Sequence, residues 1–272
     1  MKGASWPHEI DPSDLLKYNI KISSLYSEFK AKSEEVFGRI CSVKPHLLSE
    51  KLYRLAITPS VISKVKDYIG PDVNIWSSAL FVKPANTKKY VGYHQDSPYW
   101  QLSTTNVVTA WIALSESKRY NGCLEFVESQ LTNKKIYPLD VENAFNAYNE
   151  GEKTSRRDDL ISFNQIIPAS IISKNIHYVE LMPAQFSLHK IDIIHGSPAN
   201  NSSVTRIGFA VRYVDSNTSH NIDKKDGAVH VCGNRSKYLV QETPPKGEFS
   251  ASSLQMYKEG VSKAGAFGNK QY

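Results

Sequence analysis

The chain has 272 residues, 40% of them hydrophobic and 22% charged, which is typical of a soluble globular protein and allows one large domain or two small ones. Its formal net charge is +6 and its pI is about 9.0, but the lysines and arginines are spread along the chain. Such a dispersed basic surface is best explained by solubility and argues against a nucleic-acid partner. It also suits a pocket for acidic small molecules.

Three cysteines, Cys41, Cys123 and Cys232, form no CxxC pair and cannot all pair with one another. This pattern predicts a reducing compartment. The sequence has no run of apolar residues long enough to span a bilayer, and the N-terminal stretch MKGASWPHEIDPSDLL lacks the apolar segment of a signal peptide. We therefore expect a cytoplasmic protein with no membrane-spanning segment.

Residues 1–70 are predicted to be helical. In Ser23–Ile40 and Thr58–Gly70, apolar residues recur at helical spacing. A serine is available to cap the first helix, and the second has a Thr-Pro start. Gly70 provides a stop for the second helix.

From residue 71 onward, β-branched and aromatic runs bounded by turn residues predict short strands. Because few helices separate these runs, we expect an antiparallel sandwich or barrel rather than a parallel α/β sheet. The predicted strands are Val73–Pro84, Asn106–Glu116, Cys123–Glu128, Ala184–Ser197 and Val204–Val214.

Residues 129–180 form a polar insertion containing NEGEKTSRRDD, a composition that predicts a mobile excursion or lid. The tail is again polar and is punctuated by glycine and proline. We therefore predict a single domain over residues 1–272. Its parts are a helical region (1–70), a β core (71–128 and 181–215), the insertion (129–180) and the tail (216–272).

The stretch YVGYHQDSPYW places an imidazole, His94, and a carboxylate, Asp96, two positions apart among aromatic residues. On an extended strand, residues two apart point to the same side, so both side chains can reach one metal ion. A His-x-acid pair is weak evidence alone, because such a site needs a third protein ligand. Two histidines and one carboxylate with open positions are the ligand set of non-haem Fe(II) oxygenases.

His195 is the favoured third ligand. It closes the apolar run IDIIHGSPANNS before a Gly-Ser-Pro turn, which predicts a ring at a strand end facing a cleft. His177, at the edge of the insertion, is a second candidate.

Arg206 follows eleven residues after His195, on the next strand of a predicted hairpin. A guanidinium there suits the far carboxylate of 2-oxoglutarate, a co-substrate that supplies electrons for O2 activation, and Ser197 can bind the second carboxylate oxygen.

The motifs YHQDSPYW, VVTAWIAL, NGCLEFVESQ and IIHGSPANNSSVTRIGF, in this order, resemble the phytanoyl-CoA dioxygenase superfamily of Fe(II)/2-oxoglutarate-dependent oxygenases over residues 70–214. The resemblance implies a mainly β protein with flanking helices, a double-stranded β-helix (a cupin-like jelly roll) whose N-terminal helices pack on the major sheet. It implies His94, Asp96 and His195 as iron ligands. It also implies a co-substrate pocket formed by Arg206, Ser197, Gln95, Trp111 and Lys83, of which Lys83 is the loosest match. The sequence departs from the family pattern at two places. It has VESQL where the family often has PGSH, and PAQ where a glycine turn is common. Neither segment contains an implied ligand.

The activity that this resemblance implies is oxidation of an unactivated C–H bond by O2, coupled to decarboxylation of 2-oxoglutarate to succinate. Hydroxylation, desaturation and cyclisation all stay open, whereas Asp96 argues against halogenation, for which relatives leave that position without a carboxylate. The basic balance and the absence of an evident acyl-CoA handle predict a small acidic or zwitterionic metabolite as substrate. The candidate substrate contacts are Tyr93, Tyr99, Trp100, His189, Arg212 and Arg156, with Arg157 beside it.

These substrate contacts have structural alternatives. The three aromatic residues can be core packing. His189, six residues before His195 on the same predicted strand, can be a hydrogen-bonded strand residue, and Arg156 can be a solvated surface charge. Arg212 shares a strand face with Arg206 by alternation.

Two other classes of function stay open: a non-catalytic cupin-like protein that binds a metal or ligand, and a protein hydroxylase. We expect a monomer or weak homodimer that binds a small molecule but neither nucleic acid nor membrane.

Overall fold

The computed structural model describes residues 3–127, 135–137, 167, 169–172, 176–220 and 226–263. The helices in these ranges are α1 (Pro12–Lys17), α2 (Ile22–Phe37), α3 (Glu50–Ala56), α4 (Pro59–Ile69), α5 (Ser97–Trp100), α6 (Ala169–Ile172) and α7 (Ala251–Lys263), with 3-10 turns at Pro45–Leu47 and Arg119–Asn121. The strands are β1 (Ala4–Glu9), β2 (Val73–Lys83), β3 (Val91–His94), β4 (Val107–Ala113), β5 (Leu124–Val127), β6 (Ile176–Val179), β7 (Gln185–Lys190), β8 (His195–Ser197), β9 (Arg206–Val214), β10 (Gly227–Cys232) and β11 (Val240–Glu242).

The strands form two sheets. The major sheet has the order β1-β7-β4-β9-β2-β10-β11, and the minor sheet has the order β3-β8-β5-β6. Their strand pairs are antiparallel, apart from β10 with β11. Trp111 and Ala210 of the major sheet share an apolar cluster with Leu124 and Phe126 of the minor sheet, so the inner faces of the sheets pack together. The expected antiparallel sandwich is confirmed.

The helices cover the outer face of the major sheet. Along β9, alternate residues such as Phe209 and Val211 point outward, where they join Phe29 of α2 and Val65 of α4 in one buried cluster. Burying each such side chain fully contributes about 1.5–3 kcal/mol to folding. The other residues of β9 therefore face the minor sheet, and the functional side chains discussed below lie among them.

The two predicted helices are observed close to their expected bounds. α4 follows Thr58 and ends before Gly70, whose φ of 87° favours glycine. α2 begins at Ile22, and the residue before it, Lys21, makes no side-chain cap, so the expected serine cap is wrong. Among the described residues, the structure contains no helix with the length and apolarity to cross a membrane.

The major sheet gains strands from segments that the sequence did not assign to it. β1 lies in the region predicted to be helical and pairs with β7 at the sheet edge. β10 lies in the predicted tail and pairs with β2. The predicted insertion lies largely outside the described residues, but β6 falls within its range and pairs with β5.

The predicted strand Ala184–Ser197 is two strands in different sheets. A turn at Ile191 and Asp192 ends β7 in the major sheet, and the chain crosses to the minor sheet, where it forms β8. The chain then crosses back before β9, so the predicted hairpin between His195 and Arg206 is also wrong. These two crossings place the two residues on facing sheets.

Candidate active site

His94 and Asp96 converge where a strand ends and a helix begins. β3 ends at His94, and Asp96 directly precedes α5 with helical backbone angles (φ −72°, ψ −31°). The prediction that strand alternation aligns the two side chains is therefore wrong in its geometry, because the chain leaves the strand between them. The Asp96 side chain makes no cap for α5.

His195 lies beside His94 in the minor sheet. The two residues are paired directly across β3 and β8, and their ring centroids are 4.3 Å apart. One ligand atom from each of His94, Asp96 and His195 lies within 4.8 Å of the other two, and all three residues are buried. The other candidate, His177, lies on β6 against the edge of Trp6.

Each imidazole is oriented by a backbone carbonyl two residues before it. Nδ1 of His94 donates to Gly92 O at 2.8 Å, and Nδ1 of His195 donates to Ile193 O at 2.9 Å. Because a carbonyl can only accept, these bonds place the proton of the neutral ring on Nδ1 and leave the Nε2 lone pair for a metal. The Nε2 atoms lie 3.5 Å and 4.0 Å from the carboxylate oxygens of Asp96.

The protonation states also suit a cation. Burial lowers the pKa of His195 to about 4, so its ring is neutral at neutral pH. Burial alone would raise the pKa of Asp96, but the positive charge around it, which includes Arg212, holds it well below its usual value. The two imidazole Nε2 atoms and an ionised carboxylate fit the donor set of a non-haem Fe(II) site.

These residues face a cavity between the two sheets, with about 460 Å³ of empty space that includes its opening to solvent. The described residues that line it are Phe81, Val91, His94, Asp96, Thr109, Trp111, Leu124, His189, His195, Ser197, Arg206, Ala210 and Arg212.

Arg206 forms a cationic end of this cavity. It is 2% exposed, and its Nη2 donates to Gly122 O at 2.9 Å and to Ser197 Oγ at 2.8 Å. Its Nε has no hydrogen-bond partner among the described residues. Burial lowers its pKa to about 10, so the guanidinium remains charged at neutral pH. A buried cation with an unused donor fits the far carboxylate of 2-oxoglutarate, and Trp111 lies under it with 5.2 Å between ring centroid and guanidinium carbon.

Lys83 lies behind Ser197 instead of in the cavity lining. Its Nζ donates to Ser197 Oγ at 2.6 Å and contacts the carbonyls of Ser197 and Pro198. Strand pairing places Lys83 directly beside Arg206. Lys83 therefore holds Ser197, and its contact with the co-substrate stays a prediction.

Gln95 points away from the cavity, contrary to the expectation from the family resemblance. Its amide nitrogen donates to Lys135 O at 2.8 Å and to Asp192 O at 2.7 Å, and its amide oxygen accepts from Tyr137 N at 2.9 Å. Because Gln95 lies between the two converging ligands, its own side chain points the other way. It ties the ligand segment to neighbouring backbone.

Of the three aromatic candidates, Trp100 is buried, and Tyr93 and Tyr99 are half-buried against apolar clusters. Tyr93 donates to Glu125, and Trp100 packs against Trp76 with ring centroids 5.2 Å apart. Tyr99 lies 6.4 Å from the His94 ring. Within the described part of the chain, none of the three lines the cavity.

His189 and Arg212 do line the cavity, and a residue that sequence reasoning missed lies between them. His189 belongs to β7 and faces His195 across the two sheets, with ring centroids 4.7 Å apart, instead of sharing its strand. Thr109 of β4 pairs with both His189 and Arg212. Alternation along VVTAWIA could have identified Thr109, because it shares a face with Trp111. Arg156 and Arg157 lie outside the described residues.

Gly208 allows Trp111 to lie flat against β9. A Cβ added at Gly208 would stand 1.9 Å from Cζ2 of Trp111. We expect Gly208→Ala to displace the indole, to lower the free energy of unfolding by about 1–3 kcal/mol and to weaken 2-oxoglutarate binding. Chemical denaturation and calorimetric titration measure both effects. The double variant Gly208→Ala/Trp111→Phe, which lacks the clashing ring atoms, should recover stability, and equal stability of Gly208→Ala and wild type would contradict the prediction.

Comparison with known protein families identifies the family of this chain. The family model described as "Phytanoyl-CoA dioxygenase (PhyH)" matches residues 20–208, which are well over half of the chain. The chain therefore belongs to the phytanoyl-CoA dioxygenase family, as the sequence motifs predicted.

Two curated proteins are similar to parts of the chain. The peroxisomal phytanoyl-CoA dioxygenase of Mus musculus is 32% identical over 79 residues, which are 28% of this chain and 23% of that protein. A probable alpha-ketoglutarate-dependent hypophosphite dioxygenase of Stutzerimonas stutzeri is 21% identical over 188 residues, 67% of this chain and 61% of that protein. The chain thus matches less than two thirds of the length of each.

Solved structures share the fold over nearly the whole chain. The non-heme monooxygenase ThoJ in its apo form superimposes with a TM-score of 0.78 at 20% identity, covering 98% of this chain and 95% of ThoJ. The epimerase SnoN in complex with Fe3+, alpha ketoglutarate and nogalamycin RO gives 0.60 at 15% identity, covering 90% and 92%. CytC3 with Fe(II) and alpha-ketoglutarate gives 0.59 at 17% identity, covering 92% and 93%. The predicted jelly-roll oxygenase fold is confirmed.

Proposed function

We propose that the protein is an Fe(II)/2-oxoglutarate-dependent oxygenase that oxidises an unactivated C–H bond of a small acidic or zwitterionic metabolite. One observation carries the proposal: the cavity in which His94, Asp96 and His195 converge also contains the buried Arg206 guanidinium, whose Nε has no partner among the described residues. A metal-binding triad and an anion-binding cation in one cavity match the two ends of a chelating keto acid.

Iron and 2-oxoglutarate, when bound, would supply the oxidising power, because decarboxylation of the keto acid to succinate would provide electrons for O2 activation. The residues of this chain hold and orient these partners. His94, Asp96 and His195 would bind the iron, while Arg206 and Ser197 would bind the far carboxylate. Lys83 fixes Ser197 from behind, and Trp111 forms a flat wall beside Arg206.

Apolar side chains from both sheets keep the reacting region dry. Phe81 comes from the major sheet, and Val91 and Leu124 come from the minor sheet. Excluding water strengthens the charged contacts within the cavity and protects a reactive site from side reactions. The cavity lies between packed sheets, which suits a small substrate better than a protein segment.

The outcome at the substrate carbon can be hydroxylation, desaturation or cyclisation. Similar structures carry names of different reactions, a monooxygenase for ThoJ and an epimerase for SnoN. The two alternatives from the sequence, a non-catalytic cupin-like binder and a protein hydroxylase, are tested in the same experiment. A cytoplasmic location and a monomeric or weakly dimeric state stay predictions from the sequence.

The test supplies the purified protein with Fe(II), 2-oxoglutarate and O2 and measures succinate over a panel of small metabolites. We expect one or more acidic or zwitterionic metabolites to raise succinate formation above the uncoupled rate, with a chelator-treated sample as control. Mass analysis of the product then assigns the reaction: one oxygen atom gained indicates hydroxylation, and two hydrogen atoms lost indicate desaturation or cyclisation. No stimulation by any metabolite favours the binder, and stimulation by peptides alone favours the protein hydroxylase.

Arg206→Ala should chiefly raise the 2-oxoglutarate requirement. Charge-assisted hydrogen bonds of this kind contribute about 1.5–3 kcal/mol, so we expect the 2-oxoglutarate KM to rise by about 10- to 100-fold. The iron content should stay close to that of wild type, because Arg206 contacts none of the three proposed ligands in the structure. Arg206→Lys keeps the charge but loses the planar fork, so its 2-oxoglutarate KM should lie between those of wild type and Arg206→Ala. An unchanged requirement in Arg206→Ala would count against its role.

A further inference from the structure

Three polar side chains stand in a row on the inner face of the major sheet. Thr109 of β4 is paired directly with His189 of β7 on one side and with Arg212 of β9 on the other. All three line the cavity. Because directly opposed residues on neighbouring strands hold their side chains close together, this polar row (His189, Thr109 and Arg212) forms one continuous surface.

Two atoms of the polar row are buried without a hydrogen bond. Thr109 is 3% exposed and His189 is 2% exposed, and Thr109 Oγ1 and His189 Nδ1 have no partner among the described residues. Buried polar groups are nearly always hydrogen-bonded, so two unsatisfied groups on one cavity wall indicate a missing polar partner. A threonine hydroxyl can donate to such a partner, and an imidazole nitrogen can donate to it where that nitrogen carries the proton.

Arg212 gives the polar row a positive charge on the metal side of the cavity. Its guanidinium lies against the rings of Trp100 (5.4 Å) and Phe81 (5.9 Å), which fix its plane. Arg212 lines the same cavity as His94, Asp96 and His195, so its charge lies near the proposed ligands.

Arg206 lies at the other end of the same strand. The two arginines are six positions apart on β9, which corresponds to about 20 Å between their backbones on an extended strand. A far carboxylate bound at Arg206 cannot also reach Arg212. The cavity therefore presents a second guanidinium, at its metal end, that can attract an anion.

We propose that the polar row binds the carboxylate of the organic substrate and so determines which of its C–H bonds faces the metal site. Arg212 supplies the charge, and Thr109 and His189 supply additional donors to the carboxylate oxygens. This inference rests on the proposed function and adds to it the group by which the substrate is recognised and the residues that recognise it.

The test uses matched probes in place of the unidentified substrate. Each probe pair is a free carboxylic acid and its primary amide on the same carbon skeleton: the common amino acids and short straight-chain fatty acids, each with its amide. Binding is measured by calorimetry to wild-type protein loaded with Fe(II) and 2-oxoglutarate without O2, so that no turnover occurs. We expect at least one acid to bind about tenfold or more tightly than its amide, as a charge-assisted contact predicts.

Two variants then locate that preference. Arg212→Gln should reduce the ratio of acid to amide affinity to about one, because the charge is lost. Thr109→Val removes only the hydroxyl in a side chain of the same shape, so it tests the polar row even where Arg212→Gln unfolds, and it should reduce the ratio several-fold. Thr109→Ser keeps the hydroxyl, so its ratio of acid to amide affinity should be close to that of wild type.

Several outcomes overturn the inference. These are the absence of any acid that binds better than its amide, a preference that survives both Arg212→Gln and Thr109→Val, and loss of 2-oxoglutarate affinity as the sole effect of these variants, which assigns the polar row to the co-substrate. Failure of the proposed function is distinct: wild type would then consume no 2-oxoglutarate, whatever its preference for acids.

Discussion

His94→Ala and His195→Ala should each abolish iron binding and, with it, turnover. Each substitution removes one of the three ligands proposed among the described residues and leaves two of them at the site. Loss of a residue that merely orients a metal ligand weakens binding by about 10- to 100-fold, so loss of a ligand should cost at least about 100-fold. Calorimetric titration of Fe(II) without O2, together with succinate release, measures both consequences.

His177→Ala is the matched control for these variants. It makes the same substitution at the other histidine that the sequence offered as a ligand, on a strand of the same sheet. We expect its iron affinity to equal that of wild type. Circular dichroism establishes that each variant is folded. Wild-type iron affinity in His195→Ala, or its loss in His177→Ala, would refute the proposed ligand set.

The central strands were predictable because their own residues determine them. Val73–Lys83, Val107–Ala113 and Arg206–Val214 are continuous β-branched or aromatic runs, and each is observed within a few residues of its predicted bounds. β1 carries Pro7 and polar residues, so its sequence does not specify a strand, and it forms because the edge of β7 accepts it. Pairing across the sheet, which no local pattern encodes, explains why β1 was missed.

The convergence of the proposed metal ligands was predictable, whereas the orientation of their neighbours was not. His94 and Asp96 are close in sequence, so any fold that turns the chain after β3 keeps them together. His189 and His195 were assigned to one strand because the turn at Ile191 and Asp192 contains neither glycine nor proline. The direction of a side chain such as that of Gln95 depends on contacts with distant backbone, which the sequence alone does not reveal.

Lys44→Met should destabilise the whole fold by about 3–5 kcal/mol, because it removes the cation from a buried ionic cluster. Lys44 is 1% exposed, and its Nζ lies 2.7 Å from Glu242 Oε1 and 3.3 Å from Asp226 Oδ1. Asp226 also accepts from Trp76 Nε1 at 2.6 Å. These contacts join the residue before the Pro45–Leu47 turn to the segment that carries β10 and β11. Chemical denaturation measures the loss.

The loss of stability in Lys44→Met should depend on pH in a defined direction. Burial alone would raise the pKa of Asp226, but Lys44 and the surrounding donors lower it from 3.8 to about 2. The stabilising contribution of the ionised Asp226 is therefore present above about pH 4 and is lost as the pH falls toward 2. In Lys44→Met the buried carboxyl group loses its main counter-charge, so its pKa rises and protonation relieves the defect. The stability difference between variant and wild type should therefore shrink as the pH falls below neutrality.

Lys51→Met is the control that separates the loss of a buried lysine from the loss of an exposed one. Lys51 makes an ion pair of the same length with Glu28, 2.7 Å, but with side chains 32% and 48% exposed. Because solvent screens such a pair, its removal should cost about 0–1 kcal/mol and should change little with pH. The triple variant Lys44→Met/Asp226→Asn/Glu242→Gln, which leaves no buried charge in the cluster, should recover part of the stability. Equal losses in Lys44→Met and Lys51→Met would show that solvent reaches the cluster and that burial of its charges does not determine its contribution.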